Sequence, residues 1–281
     1  MTAGAEDLPA PAKLNLFLRV VGRRPDGYHL LQTVFRFIDV GDTLRVTPRA
    51  DSEIRLRTPL PEVPVERDLC VRAARLLQQA TGCGLGAEIQ VEKRIPMGGG
   101  LGGGSSDAAT TLMALNRLWD LGLGRRELMA LGLRLGADVP VFLFGENAFG
   151  EGVGEVLTPV ALPPRWYLVL VPPVTVPTAE IFADPHLTRN SDPVKIPGFS
   201  VAFGINDLQE AVLRRYPVVA RHLQWLGQFG PAVMTGSGAC VFSEFENEGS
   251  ARDVFRRVPE DMKGFVARGL ERHPLHGLLK D

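Results

Sequence analysis

Apolar positions along the chain change period several times, and the changes divide it into elements. Residues 14–21 and 31–40 are strand-like apolar stretches on either side of a turn at Arg23-Arg24-Pro25-Asp26-Gly27. Residues 43–47 and 53–58 read as two further strands, and proline-rich 59–64 as loop. Leu69, Ala73, Leu76 and Leu77 fall at helical spacing, predicting a helix over 69–80 that glycines at 82–86 end. An alternating strand at 87–91 runs into a glycine cluster. Helices follow over about 106–118 and 126–135, then short strands at 141–144 and 155–159. Turn chemistry is densest at Leu162-Pro163-Pro164, which divides the chain into 1–162 and 163–281. The second part holds a strand at 166–171 and an exposed, Pro/Gly-interrupted connection at 188–199. Helices at 208–213 and 218–226 follow. Strands at 232–235 and 240–245, a helix at 250–257 and a strand at 264–268 make a βαβ-like tail. Strands and helices mix in both parts, so the class is α+β or α/β.

Composition narrows the functional classes. The 281 residues carry 31 Lys+Arg against 32 Asp+Glu, a net charge of −1, which argues against nucleic acid as a partner. At 45% hydrophobic the chain can bury a core and is not disordered. Cys70, Cys83 and Cys240 are too few and too scattered for a disulfide framework or a zinc site, and read as buried small hydrophobes in a reducing, cytoplasmic setting. The longest apolar run, 166–171, is far short of a membrane span. Residues 1–12 lack the pattern of a signal peptide, and 1–8 read as a disordered lead.

Chemistry concentrates at Pro96-Met97-Gly98-Gly99-Gly100-Leu101-Gly102-Gly103-Gly104-Ser105-Ser106-Asp107, between a strand and a helix. Glycines let successive amides curl around an anion, and the helix N-terminus adds its dipole. Ser105 or Ser106 is expected to cap that helix, with Asp107 in its first turn. Gly98-x-Gly100-x-x-Gly103 fits the dinucleotide fingerprint, but so dense a cluster fits many patterns, and a second helix follows where that fold needs a strand. A Walker loop needs a lysine, and the loop has none. A tightly packed turn without ligand is the bland alternative. If phosphate binds, its charge must be offset from elsewhere. Lys13, opening an apolar strand in Pro11-Ala12-Lys13-Leu14-Asn15, and Asp138, in Gly136-Ala137-Asp138-Val139-Pro140 between a helix end and an apolar strand, are candidates; each read alone is a solvated side chain or ordinary turn chemistry. Together, a phosphate loop, a cation and a carboxylate are what phosphoryl transfer requires.

The glycine segment resembles the phosphate-binding motif of the galactokinase, homoserine kinase, mevalonate kinase and phosphomevalonate kinase superfamily. The similarity runs from about residue 11 to Arg272-His273-Pro274-Leu275-His276. It includes Asp26-Gly27-Tyr28-His29, Glu151-Gly152-Val153-Gly154-Glu155 and Thr235-Gly236-Ser237-Gly238-Ala239-Cys240. It is strongest to the branch whose acceptor is 4-diphosphocytidyl-2-C-methyl-D-erythritol, in the non-mevalonate route to isoprenoid precursors. The resemblance implies an α+β fold of two domains. The N-terminal one (1–162) binds ATP and has a left-handed βαβ crossover. The C-terminal one (163–281) is an α/β sandwich, with the acceptor in the cleft between them. It implies transfer from MgATP to the 2-hydroxyl of that acceptor, with Asp138 as base and Lys13 beside it. Pro96 to Ser106 would hold the phosphates, with Ser105 or Ser106 a possible magnesium ligand and no carboxylate cage, and Lys93 would approach the adenine. Asn15 would contact the acceptor, Tyr28 stack on the cytosine, His29 hydrogen-bond its edge, and Phe182 cover the other face. Thr235, Gly236, Ser237 and Gly238, a second glycine loop between strands, would sit at the cleft. The implied partner is a small molecule, with neither nucleic acid nor membrane, for a monomer or weak dimer.

Other readings make different demands. A related kinase for homoserine or a mevalonate has no base to stack on Tyr28 and His29. A dinucleotide oxidoreductase would use Gly98 to Gly103 for NAD(P). A non-catalytic nucleotide-binding module would have no need of Lys13 and Asp138. His273 and His276 flank a helix-breaking Pro274 and read as C-terminal packing, and no ligand spacing makes His29 a metal ligand.

Overall fold

The computed structural model describes residues 6–61, 63–194 and 204–280. Two long strands, β1 (Leu8–Arg23) and β2 (His29–Arg49), form its spine and pair antiparallel. The strands expected at 31–40 and 43–47 are one element. Gly41 carries β2 past Ala10 and Pro11, where a Cβ would lie 2.5 Å from the Ala10 carbonyl oxygen. Leu8 opens β1, and the part of the expected lead at 1–5 lies outside the described residues. β3 (Ile54–Leu56) and β4 (Gly86–Glu92) pair in parallel, joined through α1 (Leu69–Thr81). Asp68 caps α1 by accepting from the Cys70 and Val71 amides, and Gly82, at φ 69°, ends it. With β5 (Ala148–Glu151) and β6 (Val156–Pro159) these strands form a six-stranded sheet.

Helices α2 (Gly103–Leu118), α3 (Arg125–Leu133) and α4 (Val139–Phe144) pack around a core of Phe37, Leu112, Leu115, Val141 and Phe142. The strand expected at 141–144 is α4. Six consecutive apolar residues carry no period that separates strand from helix, and Pro140 in the first turn with Gly145 at φ 79° bounds a short helix. β5 was not expected.

The second sheet is β7 (Trp166–Val171), β8 (Ala232–Met234), β9 (Val241–Phe245) and β10 (Lys263–Arg268), in the order β10-β7-β9-β8 and antiparallel at every pairing. α5 (Thr178–Phe182), α6 (Gln209–Arg215), α7 (Pro217–Leu226) and α8 (Glu248–Phe255) accompany it. The expected βαβ-like tail is split, because β7 lies between β9 and β10. Part of the expected connection at 188–199 lies outside the described residues.

One buried cluster, with Phe17, Phe149, Tyr167, Val169 and Phe242, joins the two sheets, and bridges Leu18–Asn206 and Ile38–Gly269 fasten them. His273 is wholly buried, edge-on to Phe37, and burial pushes its imidazole down to about 3, so it packs as a neutral ring. Cys70 and Cys240 are buried and Cys83 partly so; burial pushes the Cys240 thiol up to about 12, which leaves it unreactive.

Candidate active site

A cleft of about 1130 Å³ is lined from both parts of the chain. Its floor is the glycine loop between β4 and α2. Gly98, Gly100 and Gly102 take φ of 66°, 77° and 74°, so left-handed residues alternate with ordinary ones and turn successive amides to one side. The loop also has no room for side chains. A Cβ on Gly100 would sit 2.2 Å from the Thr235 carbonyl oxygen, and one on Gly99 2.6 Å from Cys240 Sγ. The second glycine loop, 235–240, joins β8 to β9 and packs directly on the first, with the Cys240 amide donating to the Gly99 carbonyl at 3.1 Å. Gly236, Ser237 and Gly238 line the cleft.

The start of α2 departs from the expectation. Gly102 is the cap residue and no side chain caps the helix. A glycine in the left-handed region already turns the chain, so both serines fall inside the helix. Ser105 lines the cleft, whereas Ser106 is fully buried with its hydroxyl unpartnered. Asp107 follows a residue later and is only 4% exposed.

Lys13 enters from β1 and is 2% exposed. Its Nζ donates to Asn15 Oδ1 at 2.6 Å and to the Gly100 carbonyl at 2.9 Å, and lies 3.2 Å from Asp138 Oδ2. Asp138, at the start of α4, is 40% exposed in its side chain and reaches the cleft. Asn15 is fixed in turn: its amide donates to Thr33 Oγ1 at 2.9 Å and its backbone N–H to Thr235 Oγ1 at 3.0 Å. A buried ammonium needs such partners, because desolvation without them would cost several kcal/mol. The arrangement presents a cation and a carboxylate where the two glycine loops meet. An anion held by the loop amides and a proton released beside Asp138 would both be accommodated.

Lys93 lines the cleft below α2, but its ammonium is engaged. It pairs with Asp107 at 2.6 Å and with Asp42. Asp42 also accepts the Arg94 and Ile95 amides, at 2.5 and 2.8 Å. Two carboxylates share one ammonium, and burial raises Asp107 to about 7, Lys93 opposing and Asp42 adding to the shift. Lys93 itself is raised, its two carboxylates outweighing burial. Asp107, whose Oδ1 has no partner, is the carboxyl raised toward neutral pH.

At the far end of the cleft, the hairpin between β1 and β2 presents Tyr28, 63% exposed, beside His29. Phe182, at the end of α5, stacks on His29 with centroids 4.9 Å apart at 25°. Arg189 donates from Nε to His29 Nε2 at 3.1 Å. Burial, and then the charges of Arg189 and Arg23, hold the His29 imidazole below its ordinary value.

The structure thus brings Lys13, Asn15, Asp138, both glycine loops, Lys93, Tyr28, His29 and Phe182 to one cleft. The sequence reading missed Arg189, Thr33, Asp42 and Asn206. Asn206 donates to the Met234 and Gly236 carbonyls at 2.7 and 2.8 Å and shapes the second loop. None lies in a motif: each is a single polar residue whose partners are distant in sequence. Among the described residues, no three His, Cys, Asp or Glu side chains cluster as a metal site. No described helix is long and apolar enough to cross a membrane.

Two family models match the chain, GHMP kinases N terminal domain over residues 68–146 and GHMP kinases C terminal over 198–264. Fold and cleft agree with that class, a small-molecule kinase built on glycine-rich loops. A 4-diphosphocytidyl-2-C-methyl-D-erythritol kinase of Nitrosospira multiformis is 64% identical over 95% of this chain and 92% of its own length. One of Thiobacillus denitrificans is 61% identical over 99% and 100%. A crystal structure of 4-(cytidine 5'-diphospho)-2C-methyl-D-erythritol kinase superposes with TM-score 0.81 at 34% identity, covering 94% of this chain and 99% of that one. Methanococcus jannaschii mevalonate kinase, at 17% identity and TM-score 0.70 over 96% of this chain and 100% of its own, shares the fold. The chain belongs to the family of 4-diphosphocytidyl-2-C-methyl-D-erythritol kinases.

Proposed function

We propose that the protein transfers the γ-phosphoryl group of ATP to the 2-hydroxyl of 4-diphosphocytidyl-2-C-methyl-D-erythritol, giving the 2-phosphate and ADP. One observation carries the mechanism. The buried Lys13 ammonium contacts Asp138, Asn15 and the carbonyl of Gly100 at once, at the junction of the two glycine loops. Asp138 accepts the hydroxyl proton as the new O–P bond forms and the bond to the ADP oxygen breaks. Lys13 compensates charge both on Asp138 and on the phosphoryl group in transit. The 96–104 amides and the N-terminus of α2 bind the remaining phosphate oxygens. Asn15, held by Thr33 and Thr235, orients the acceptor, and the second glycine loop closes the cleft over it. Lys93, fixed by Asp42 and Asp107, borders the nucleotide's adenine end.

The acceptor's cytosine belongs at the other end, on the open ring of Tyr28, with its edge toward His29, whose ring Phe182 backs by stacking. Stacking there is worth roughly 1–3 kcal/mol. Magnesium, arriving with the triphosphate, would supply positive charge to offset that of the phosphates. The described residues offer it the Ser105 hydroxyl and no carboxylate cage, which suits a hard cation that keeps several waters. Two domains divided at 162/163, a cytoplasmic setting and a monomer or weak dimer complete the reading; one chain supplies every residue invoked. ADP release from purified protein should require the CDP-linked acceptor and fail with the unconjugated methylerythritol phosphate. Equal release with both would remove the cytidine site from the mechanism.

A further inference from the structure

Arg189 lies outside every motif, yet its guanidinium is heavily committed just behind the cleft-lining His29. Nη1 donates to the Leu187 carbonyl at 3.0 Å, and Nη2 to those of Phe182 and Asp184 at 3.0 and 2.7 Å. Those three bonds aim the Nε–H at His29 Nε2, 3.1 Å away. A guanidinium has five donors, no acceptor, and stays protonated at any working pH. The nitrogen facing it must therefore offer a lone pair, and the ring proton must sit on Nδ1. We propose that Arg189 sets the base specificity of this enzyme, as a positioning residue that locks His29 in the Nδ1–H tautomer so that the ring shows the cleft a fixed hydrogen-bond donor.

The proposal rests on the reading of His29 as the residue that meets the base edge. Cytosine carries a bare lone pair at N3, and uracil carries N3–H. A fixed donor completes a bond with the first and meets another donor in the second, leaving both unpaired. A histidine without Arg189 is free to carry its proton on Nε2 and show Nδ1 as an acceptor, which reverses the preference. Protonation cannot scramble the wild-type arrangement, because a second ring proton would point straight at the guanidinium. The charged groups acting on the ring, Arg189 and Arg23, are both cations, and they act with burial to keep it neutral. Phe182, stacked on the ring and held through its own carbonyl by Arg189, fixes the ring plane.

The test is competition by CMP and UMP against the CDP-linked acceptor, in wild type and Arg189→Met, at pH 8 and pH 5.5. Wild type should favour CMP by at least about tenfold at both pH values. In Arg189→Met the preference should collapse at pH 8, mainly through acceptor KM with kcat retained at saturation. It should return at pH 5.5, where the protonated ring again carries Nδ1–H. A purely structural role for Arg189 predicts no such return. Retention of the full CMP preference by the variant at pH 8 would overturn the proposal alone. Failure of CMP to inhibit the wild type would overturn the base-site reading and the proposal with it. Should the variant not fold, ¹⁵N correlation spectra of wild-type His29 decide: a proton on Nδ1 supports the lock, and one on Nε2 overturns it.

Discussion

Asp107→Asn should stabilise this protein, and by more as pH rises. Asp107 is 6% exposed in its side chain and shares the Lys93 ammonium with Asp42. Burial raises its carboxyl from 3.8 to about 7. Its folded value exceeds its unfolded one, so between about pH 4 and 7 the folded chain binds the extra proton. The stabilising contribution is whole below about pH 4 and is lost as pH climbs through 7. A rise of about three units corresponds to about 4 kcal/mol at 1.36 kcal/mol per unit, and the part spanned between pH 5 and pH 8 is about 3 kcal/mol. Both already include the opposing charge of Lys93, and both are ceilings, since relaxation around a buried charge reduces its cost. Asparagine keeps the shape and can donate to Asp42, but does not ionise. Urea unfolding of both proteins from pH 5 to pH 8 should show the variant's advantage growing by about 2 kcal/mol and levelling above pH 7. An advantage that stays flat across that range, or shrinks as pH rises, would mean that Asp107 is charged throughout and that one ammonium serves both carboxylates.

Asp138→Asn should lower kcat by roughly 10²–10⁴ with ATP affinity nearly unchanged by calorimetry, and near-wild-type turnover would remove Asp138 from the base role. Lys13→Ala should depress kcat and also stability, because Asn15 Oδ1 and the Gly100 carbonyl lose a buried donor, at about 1–3 kcal/mol each; a rise in KM alone would make the lysine a uniform binding group. Gly100→Ala forces a side chain at φ 77° against the Thr235 carbonyl, at a backbone cost of about 1–3 kcal/mol before the clash. It should weaken nucleotide binding in a fluorescence titration, and wild-type affinity would show that the loop tolerates a wider separation from its partner.

What the sequence made legible was contiguous. α1 announces itself by apolar spacing, a capping Asp68 and a closing Gly82, all within its own span. The glycine loop is equally local, and each motif residue proposed for the site lines the cleft except Ser106 and Thr235, both fully buried. What stayed hidden depends on distant partners. Residues 141–144 look the same as strand or helix until Pro140 and Gly145 are seen to bound a single turn and a half. Gly41 looks like a break between strands, and is the point where β2 must pass close to β1. Ser105 and Ser106 have the right chemistry to cap α2, but Gly102 had already turned the chain. Lys93 looks like a free cation in a sequence with few lysines. Its two carboxylates lie 51 and 14 residues away.

Distance in sequence also explains why the proposed catalytic centre depends on the contact between the two parts of the chain. Lys13 and Asn15 share β1 and hold each other through one bond, and every other partner of their polar ends lies elsewhere in the chain. Lys13 is completed by Gly100, 87 residues on, and Asn15 by Thr33 and by Thr235, 220 residues on. The glycines of the first loop are needed at least as much for this approach as for phosphate, since Gly99 and Gly100 touch Cys240 and Thr235 of the second part with no space for a Cβ. Packing one glycine loop on another brings a carbonyl within reach of the ammonium and sets the amides proposed for phosphate beside it. A side chain at either position would separate the loops, and with them the two sides of the proposed site.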